Sequence, residues 1–263
     1  MPGVKTKTNQ GSSCRPKRKP RRAELRLVYD TQATGKWNGH YAYWRKFFYR
    51  YYDQNGRRFP WRRKCTSAFT LLVAETLLKQ TKATDVVSVW CDLLDRCPTV
   101  TDLSRVRQGT LCRMLKPLGL QRQRAAALTS MSKAIVRDFS GRVPREIEDL
   151  VELPYVGLYS ACALASFHYG TRVPIVDANV LRVLSRLTGE NFGRDLRRNH
   201  EVWAVAWAIL PRNRVAEHNY GMLDFSATVC TAHNPGCSVC PLRRRCAYGR
   251  LRSGSAGSAK EEG

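Results

Sequence analysis

The sequence predicts an all-α protein of many short helices, with a cysteine-rich appendix near its C-terminal end. Three observations predict it. Apolar residues recur at three- and four-residue spacing along most of the chain. Proline and glycine punctuate those runs at short intervals. Period-two stretches long enough to make strands are scarce, and no long internal repeat is visible.

Taken in order, the segment before residue 27 sets nine Lys and Arg against Glu24 alone. Residues 1–30 therefore read as a disordered basic arm. The run Arg15-Pro-Lys-Arg-Lys-Pro-Arg-Arg22 suits a nucleic-acid contact, a solubilising tail or, in a eukaryote, a nuclear address. Residues 31–252 hold the folded part. A first helical stripe runs through Phe69, Leu72, Val73, Thr76, Leu77 and Gln80, a second through Val86, Val89, Trp90, Leu93 and Leu94, and a third through Ala125, Leu128, Met131, Ile135 and Phe139. Leu153-Pro-Tyr-Val-Gly157 then joins two apolar helical stretches by a tight turn. Val180, Val183, Leu184 and Leu187 make the next stripe, which puts Asp177 at a helix start. Residues 253–263 are mostly Gly, Ser and Ala and read as a flexible tail.

A chain of 263 residues suits one large domain or two small ones and can bury a full core. Lys and Arg number 45 against 21 Asp and Glu, a formal charge of +24. An excess of that size concerns partners rather than fold, and it points to a polyanion. Hydrophobic residues at 43% exclude a wholly disordered chain. Met1–Arg26 has no apolar core behind its basic residues, which argues against a secretory signal. Leu153–Thr171 lacks formal charge, but Pro154, Gly157, Gly170 and several hydroxyls make it a poor membrane span.

Four of the ten cysteines, Cys230, Cys237, Cys240 and Cys246, form a compact C-x6-C-x2-C-x5-C set. In a chain without secretory features such a set suits a metal centre better than disulfides. Structural zinc takes four thiolates, usually as two short-spaced pairs. A [4Fe–4S] cluster also takes four, and one loop can wrap it. Buried free thiols are the plain alternative. Arg243, Arg244 and Arg245 lie within this loop and would either offset cluster charge or face phosphates.

Two further features carry chemistry. After Gly157 a helix begins with free N–H groups, an arrangement that binds phosphate without reading bases. In Val176-Asp-Ala-Asn-Val180, the helix dipole and free N–H groups favour an ionised Asp177. A plain N-cap would use the same residue in the same place.

Together with Pro60-Trp-Arg62 and Glu75-Thr-Leu-Leu-Lys-Gln-Thr81, these motifs stand in an order that resembles the helix-hairpin-helix DNA glycosylases of the endonuclease III superfamily, over roughly residues 41–246. Within it, the chain is most similar to the thymine-DNA mismatch glycosylases. The resemblance implies two helical lobes with the active cleft between them, the first and last segments forming the lobe that bears a [4Fe–4S] cluster on Cys230, Cys237, Cys240 and Cys246.

The resemblance also implies a reaction. Such enzymes evert a nucleotide, least expensively at a mismatch, and cut its base–sugar bond through an oxocarbenium-like sugar. Asp177 matches the catalytic aspartate, with water as nucleophile. Members with lyase activity carry a lysine two residues after the hairpin glycine, because an amine forms the required Schiff base. Here that residue is Tyr159, which implies a monofunctional enzyme. Adenine-excising relatives usually place a small hydroxyl residue there and append a domain reading oxidised guanine, for which the 17 residues after Cys246 leave no room. A core-packed aromatic is the plain reading of Tyr159, as an exposed surface glutamate is of Glu75. The apolar neighbours of Glu75 instead point to burial and a supporting role for it, ordering water or binding the base.

For DNA, the resemblance puts Lys79, Gln80 and Lys82 at the duplex on the end of one helix, with Gln80 entering the stack. Arg122 and Arg124 would reach phosphates or an orphaned guanine. Val156 and Gly157 would hold a phosphate, and Asn179 and Arg182 would support Asp177 and the DNA around it.

The expected partner is double-stranded DNA with a mismatched or damaged base. The expected reaction is removal of T or U opposite G. Excision of a modified pyrimidine, or of adenine opposite guanine or oxidised guanine, is a second enzyme reading, and an iron–sulfur DNA-binding protein is the non-enzymatic one. The chain is expected to act as a monomer without a membrane, in the cytoplasm at the nucleoid of a prokaryote or in the nucleus of a eukaryote.

Overall fold

The computed structural model describes Leu25, residues 37–193, Asp195 and residues 199–254. Apart from Leu25, the basic arm expected over 1–30 lies outside the described residues, as does all but the start of the tail. The described residues contain helices and turns and no strand. None of these helices is long and apolar enough to cross a membrane.

The first lobe is built from the first and last of the described helices. Helix α1, Asn38–Asn55, carries Tyr41, Trp44 and Phe48 on one buried stripe. A 3-10 turn, Pro60–Arg62, follows and buries Trp61. The second lobe then runs through seven helices: α2 Ala68–Leu77, α3 Ala83–Arg96, α4 Val100–Arg105, α5 Gln108–Met114, α6 Gln121–Phe139, α7 Ile147–Glu152 and α8 Leu158–Phe167. The chain returns to the first lobe with α9 Ala178–Thr188, α10 His200–Ile209, α11 Val215–Thr228 and α12 Ala247–Gly254. Contacts of α8 with both α2 and α11 join the two lobes.

Local chemistry explains the breaks. Ser67 caps α2 by accepting from the Thr70 N–H. Thr99 and Asp102 form a reciprocal capping box on α4. α2 is apolar on nearly every side and is accordingly buried at every position from Leu71 to Leu77. α9 is strongly amphipathic and buries only Val180, Val183, Leu184 and Leu187. It ends at Gly189, whose φ of +81° is left-handed backbone that favours glycine.

The main packing of the first lobe is α11 on α1. Phe225 meets Phe47, Phe48 and Tyr51 edge-on at centroid distances of 5.3, 5.8 and 5.3 Å. Gly221 makes the close approach possible, because a Cβ there would overlap the Phe48 carbonyl. Overpacking of this kind costs about 1–3 kcal/mol. Gly221→Ala is therefore expected to lower Tm by roughly 5 °C or more. Thermal denaturation followed by circular dichroism checks this, and an unchanged Tm would refute it.

Candidate functional site

Asp177 is the N-cap of α9, and its half-buried carboxylate is fully organised by its own turn. Oδ1 accepts the backbone N–H of Asn179 at 2.9 Å and of Val180 at 2.7 Å, while Oδ2 accepts Nδ2 of Asn179 at 2.9 Å. Arg182 donates in turn to Oδ1 of Asn179 at 3.0 Å, and to the carbonyls of Cys230 and Ser226. A continuous hydrogen-bonded path thus runs from the carboxylate to the cysteine loop. Asn179 and Arg182 thus stand around Asp177.

Glu75 comes to the same place from α2. It is 7% exposed, because the helix that carries it is enclosed on all sides. Burial is the dominant influence on its carboxyl. Opposed by the Lys79 and Arg62 cations and reinforced by the Asp177 carboxylate, it pushes Glu75 up to about 7. Tyr159, on the first turn of α8, is partly buried against the core. Burial first, and then the Glu75 and Asp177 charges, hold its phenol well above the ordinary range, so it is neutral. The structure therefore brings Asp177, Glu75 and Tyr159 into one electrostatic group.

Three residues that sequence reasoning did not assign complete the group. Arg62 donates to both oxygens of Asp224 at 2.7 and 3.0 Å, and its guanidinium lies 4.2 Å from the Tyr220 ring centre. Asp224 is wholly buried. Burial alone would raise its carboxyl, yet Arg62 and Arg57 hold it below the usual carboxylate range. Tyr220 stacks on Phe167 with ring centres 3.7 Å apart, and burial pushes its phenol up. Arg62 stands in the Pro60-Trp-Arg motif, the one available signal. Nothing in the sequence pairs it with an aspartate 162 positions later.

The turn after α2 corrects an expectation. Lys79, Gln80 and Lys82 do not continue that helix, which ends at Leu77. Gln80 has φ +58°, in the left-handed region that no right-handed helix can include. Arg124 explains the turn. It is buried, with Nη2 donating to the Lys79 carbonyl and Thr81 Oγ1, and Nη1 to the carbonyls of Leu118 and Gly119. The expected outward-facing phosphate contact at Arg124 gives way to a strut between two turns, since its amino groups are already engaged. Arg122, Lys79, Gln80 and Lys82 are exposed. So is Leu120, at 45% and φ +50°, a large apolar side chain that sequence reasoning missed.

In the hairpin between α7 and α8, Tyr155 has φ +64°, and its carbonyl accepts Nζ of Lys79 at 2.8 Å. Val156 is buried, so its side chain packs inward and leaves only backbone for a ligand. Gly157 is exposed, and a Cβ there would meet nothing within 4 Å. Its smallness is not needed by the protein's own packing, and the space before the first turn of α8 is open.

Cys230, Cys237, Cys240 and Cys246 line a single cavity, walled by Val183, Leu187, Phe225 and Leu242. Burial first and then the three neighbouring thiols push Cys240 up to about 11. Cys246 Sγ accepts the Gly249 N–H at 3.4 Å, and Cys230 Sγ accepts from Arg186 at 3.4 Å. Among the described residues no three of His, Cys, Asp and Glu converge closely enough to hold a single metal ion.

Comparison with known proteins agrees with this geometry. The model of the HhH-GPD superfamily base excision DNA repair proteins matches residues 73–203. The thymine-DNA glycosylase of Aeropyrum pernix is 35% identical over 206 residues, covering 76% of this chain and 90% of that one. The adenine DNA glycosylase of Mycobacterium tuberculosis is 38% identical over 196 residues, covering 73% of this chain and 63% of the relative. A solved structure of a thermostable thymine-DNA glycosylase superposes with a TM-score of 0.76 at 28% identity, over 81% of this chain and 98% of that one. The all-helical architecture, the hairpin before α8 and these matches together show that the chain belongs to the HhH-GPD superfamily of base excision DNA repair glycosylases.

Proposed function

We propose that the protein is a monofunctional DNA glycosylase that hydrolyses the N-glycosidic bond of a thymine or uracil everted from a pair with guanine. The observation that carries this reading is the preorganised Asp177 carboxylate facing Glu75 and Tyr159 with no lysine on that turn of α8. An everted nucleotide in the cleft between the lobes would present its sugar to Asp177. The positive charge that grows on the sugar as the base departs is then stabilised most in the transition state. Glu75, which burial pushes up to about 7, donates a hydrogen bond to the departing base in its protonated form. Water completes the hydrolysis. A neutral phenol at Tyr159 forms no imine, and the nearby amine, Lys79, is tied to the Tyr155 carbonyl.

The remaining groups fit a kinked duplex. Gln80 and Leu120 stand exposed on left-handed turns that Arg124 braces together, as a wedge entering the stack would require. The N–H groups after Gly157 receive a phosphate. Lys82 and Arg122 add cation to a chain whose excess of basic residues makes binding steeply salt-dependent. The likeness to thymine-DNA and thymine/uracil-DNA glycosylases supports the choice of base. The 38% identity to an adenine glycosylase favours a second reading, excision of adenine opposite guanine or its oxidised form.

One experiment decides between them. Duplexes with a single G:T, G:U, G:A, oxidised-guanine:A or modified-cytosine pair are incubated with the protein and then treated with alkali. Strand breaks at T and U, and only after alkali, are expected. Release of adenine alone would establish the second reading.

The same proposal assigns a [4Fe–4S] cluster to Cys230, Cys237, Cys240 and Cys246. Four thiols, Cys246 buried and the other three half-buried, around one apolar-walled cavity and supplied with N–H···S bonds suit such a group. When bound it cross-links the loop through four thiolate bonds and contributes no proton to the hydrolysis. The purified protein is expected to be yellow-brown and to contain iron and inorganic sulfide. A colourless protein carrying zinc would overturn the assignment.

A further inference from the structure

Glu75 is under the charge of Lys79 from the turn that follows its own helix, of Asp177 from the cap of α9 and of Arg62 from the 3-10 turn, with the phenols of Tyr159 on α8 and Tyr220 on α11 nearby. Of the two cations, Lys79 is exposed and donates to Tyr155, whereas the Arg62 side chain is 7% exposed. The turn that carries Arg62 packs against α2, and a buried guanidinium near a buried carboxylate ordinarily pairs with it. Arg62 does not. Its Nη1 and Nη2 both donate to Asp224, Nη1 also reaches the Arg57 carbonyl, and Nε is sealed with no partner. Asp224 is saturated in turn, since Arg57 fills its remaining positions with a backbone N–H at 2.9 Å and Nε at 2.6 Å. The rings of Phe59 and Tyr220 hold the guanidinium from its faces at 5.3 and 4.2 Å.

We propose that Asp224 is a positioning residue for the reaction: by clamping Arg62 it keeps that cation from ion-pairing with Glu75, and so keeps Glu75 able to carry a proton. The proposal rests on the reading of Glu75 as the acid. It accounts for a wholly buried aspartate that the hydrolysis itself does not use and for the orphaned Nε of Arg62. With the clamp loosened, Glu75, on the helix against which this turn packs, is the buried carboxylate whose charge the guanidinium already feels. An ion pair there holds Glu75 ionised.

The direction of the effect follows. Asp224→Asn loses the charge that holds the fork. Arg62→Lys loses the fork itself while keeping the cation. Both are expected to move the alkaline limb of the excision profile down by about one pH unit or more, the shift a new opposite charge produces. Arg62→Met, with no cation, is expected to move it up. Difference infrared titration of the Glu75 carboxyl, taken against Glu75→Gln, should show the same three shifts in the full-length protein without DNA. That readout stands even if the assigned reaction proves wrong, so the two failures are distinguishable. Asp224→Asn is the first variant and Arg62→Lys serves if it does not fold. Either one lowering the rate equally at every pH, with the Glu75 titration unmoved, would overturn the proposal.

Discussion

Asp177→Asn is expected to lower single-turnover excision of T or U opposite G by about 10³-fold or more, with little change in fold or DNA affinity. The reasoning separates the two jobs of the residue. As an N-cap it needs one oxygen that accepts from the N–H groups of Asn179 and Val180, and asparagine caps as well as aspartate. As a catalyst it needs a full negative charge beside the sugar, and asparagine has none. A variant that binds a mismatched duplex, melts like wild type and scarcely turns over would show that the charge is the catalytic element. A rate near wild type would reduce Asp177 to a cap.

Glu75→Gln is expected to remove a proton donor and slow excision by about 10²–10⁴-fold. The pH dependence identifies the cause. With Glu75 at about 7, the wild-type rate should fall roughly tenfold per pH unit on the alkaline side, and the variant's profile should be flat there. Stability moves the other way. The folded-state value lies above the ordinary 4.5, so Glu75's contribution is fully present below that pH and is lost as pH rises through about 7. Ionising the buried carboxyl costs up to about 3 kcal/mol above that point. Urea unfolding at pH 9 should therefore show the variant more stable than wild type by a gap absent at pH 5. Equal stability at both pH values would mean that Glu75 titrates normally.

Much of this site is local in sequence, and that part was legible. An aspartate followed three residues later by the first residue of an apolar stripe reads as a helix cap, and Asp177 is one. Glu75 sits among apolar residues on every helical face, so its burial followed from periodicity. The two-lobed arrangement came from the resemblance and is recovered in the packing of α1 on α11. What failed was tertiary. Lys79-Gln80 reads as the end of a helix, because glutamine carries no mark of the left-handed backbone it adopts. That backbone is selected by Arg124, 45 residues from Lys79 and read as a surface charge within Gln121-Arg-Gln-Arg. The clamp of Arg57 and Arg62 on Asp224 joins segments more than 160 residues apart. No local pattern announces a partner at that range.

The measurement closest to the central claim is reductive trapping. Wild-type protein is incubated with a G:T duplex in the presence of sodium borohydride, and both free base and covalent protein–DNA adduct are followed. A carboxylate-assisted hydrolysis with no participating amine releases thymine, leaves an intact abasic strand and yields no adduct. An adduct trapped in proportion to released base, through Lys79 or any other amine, would contradict it.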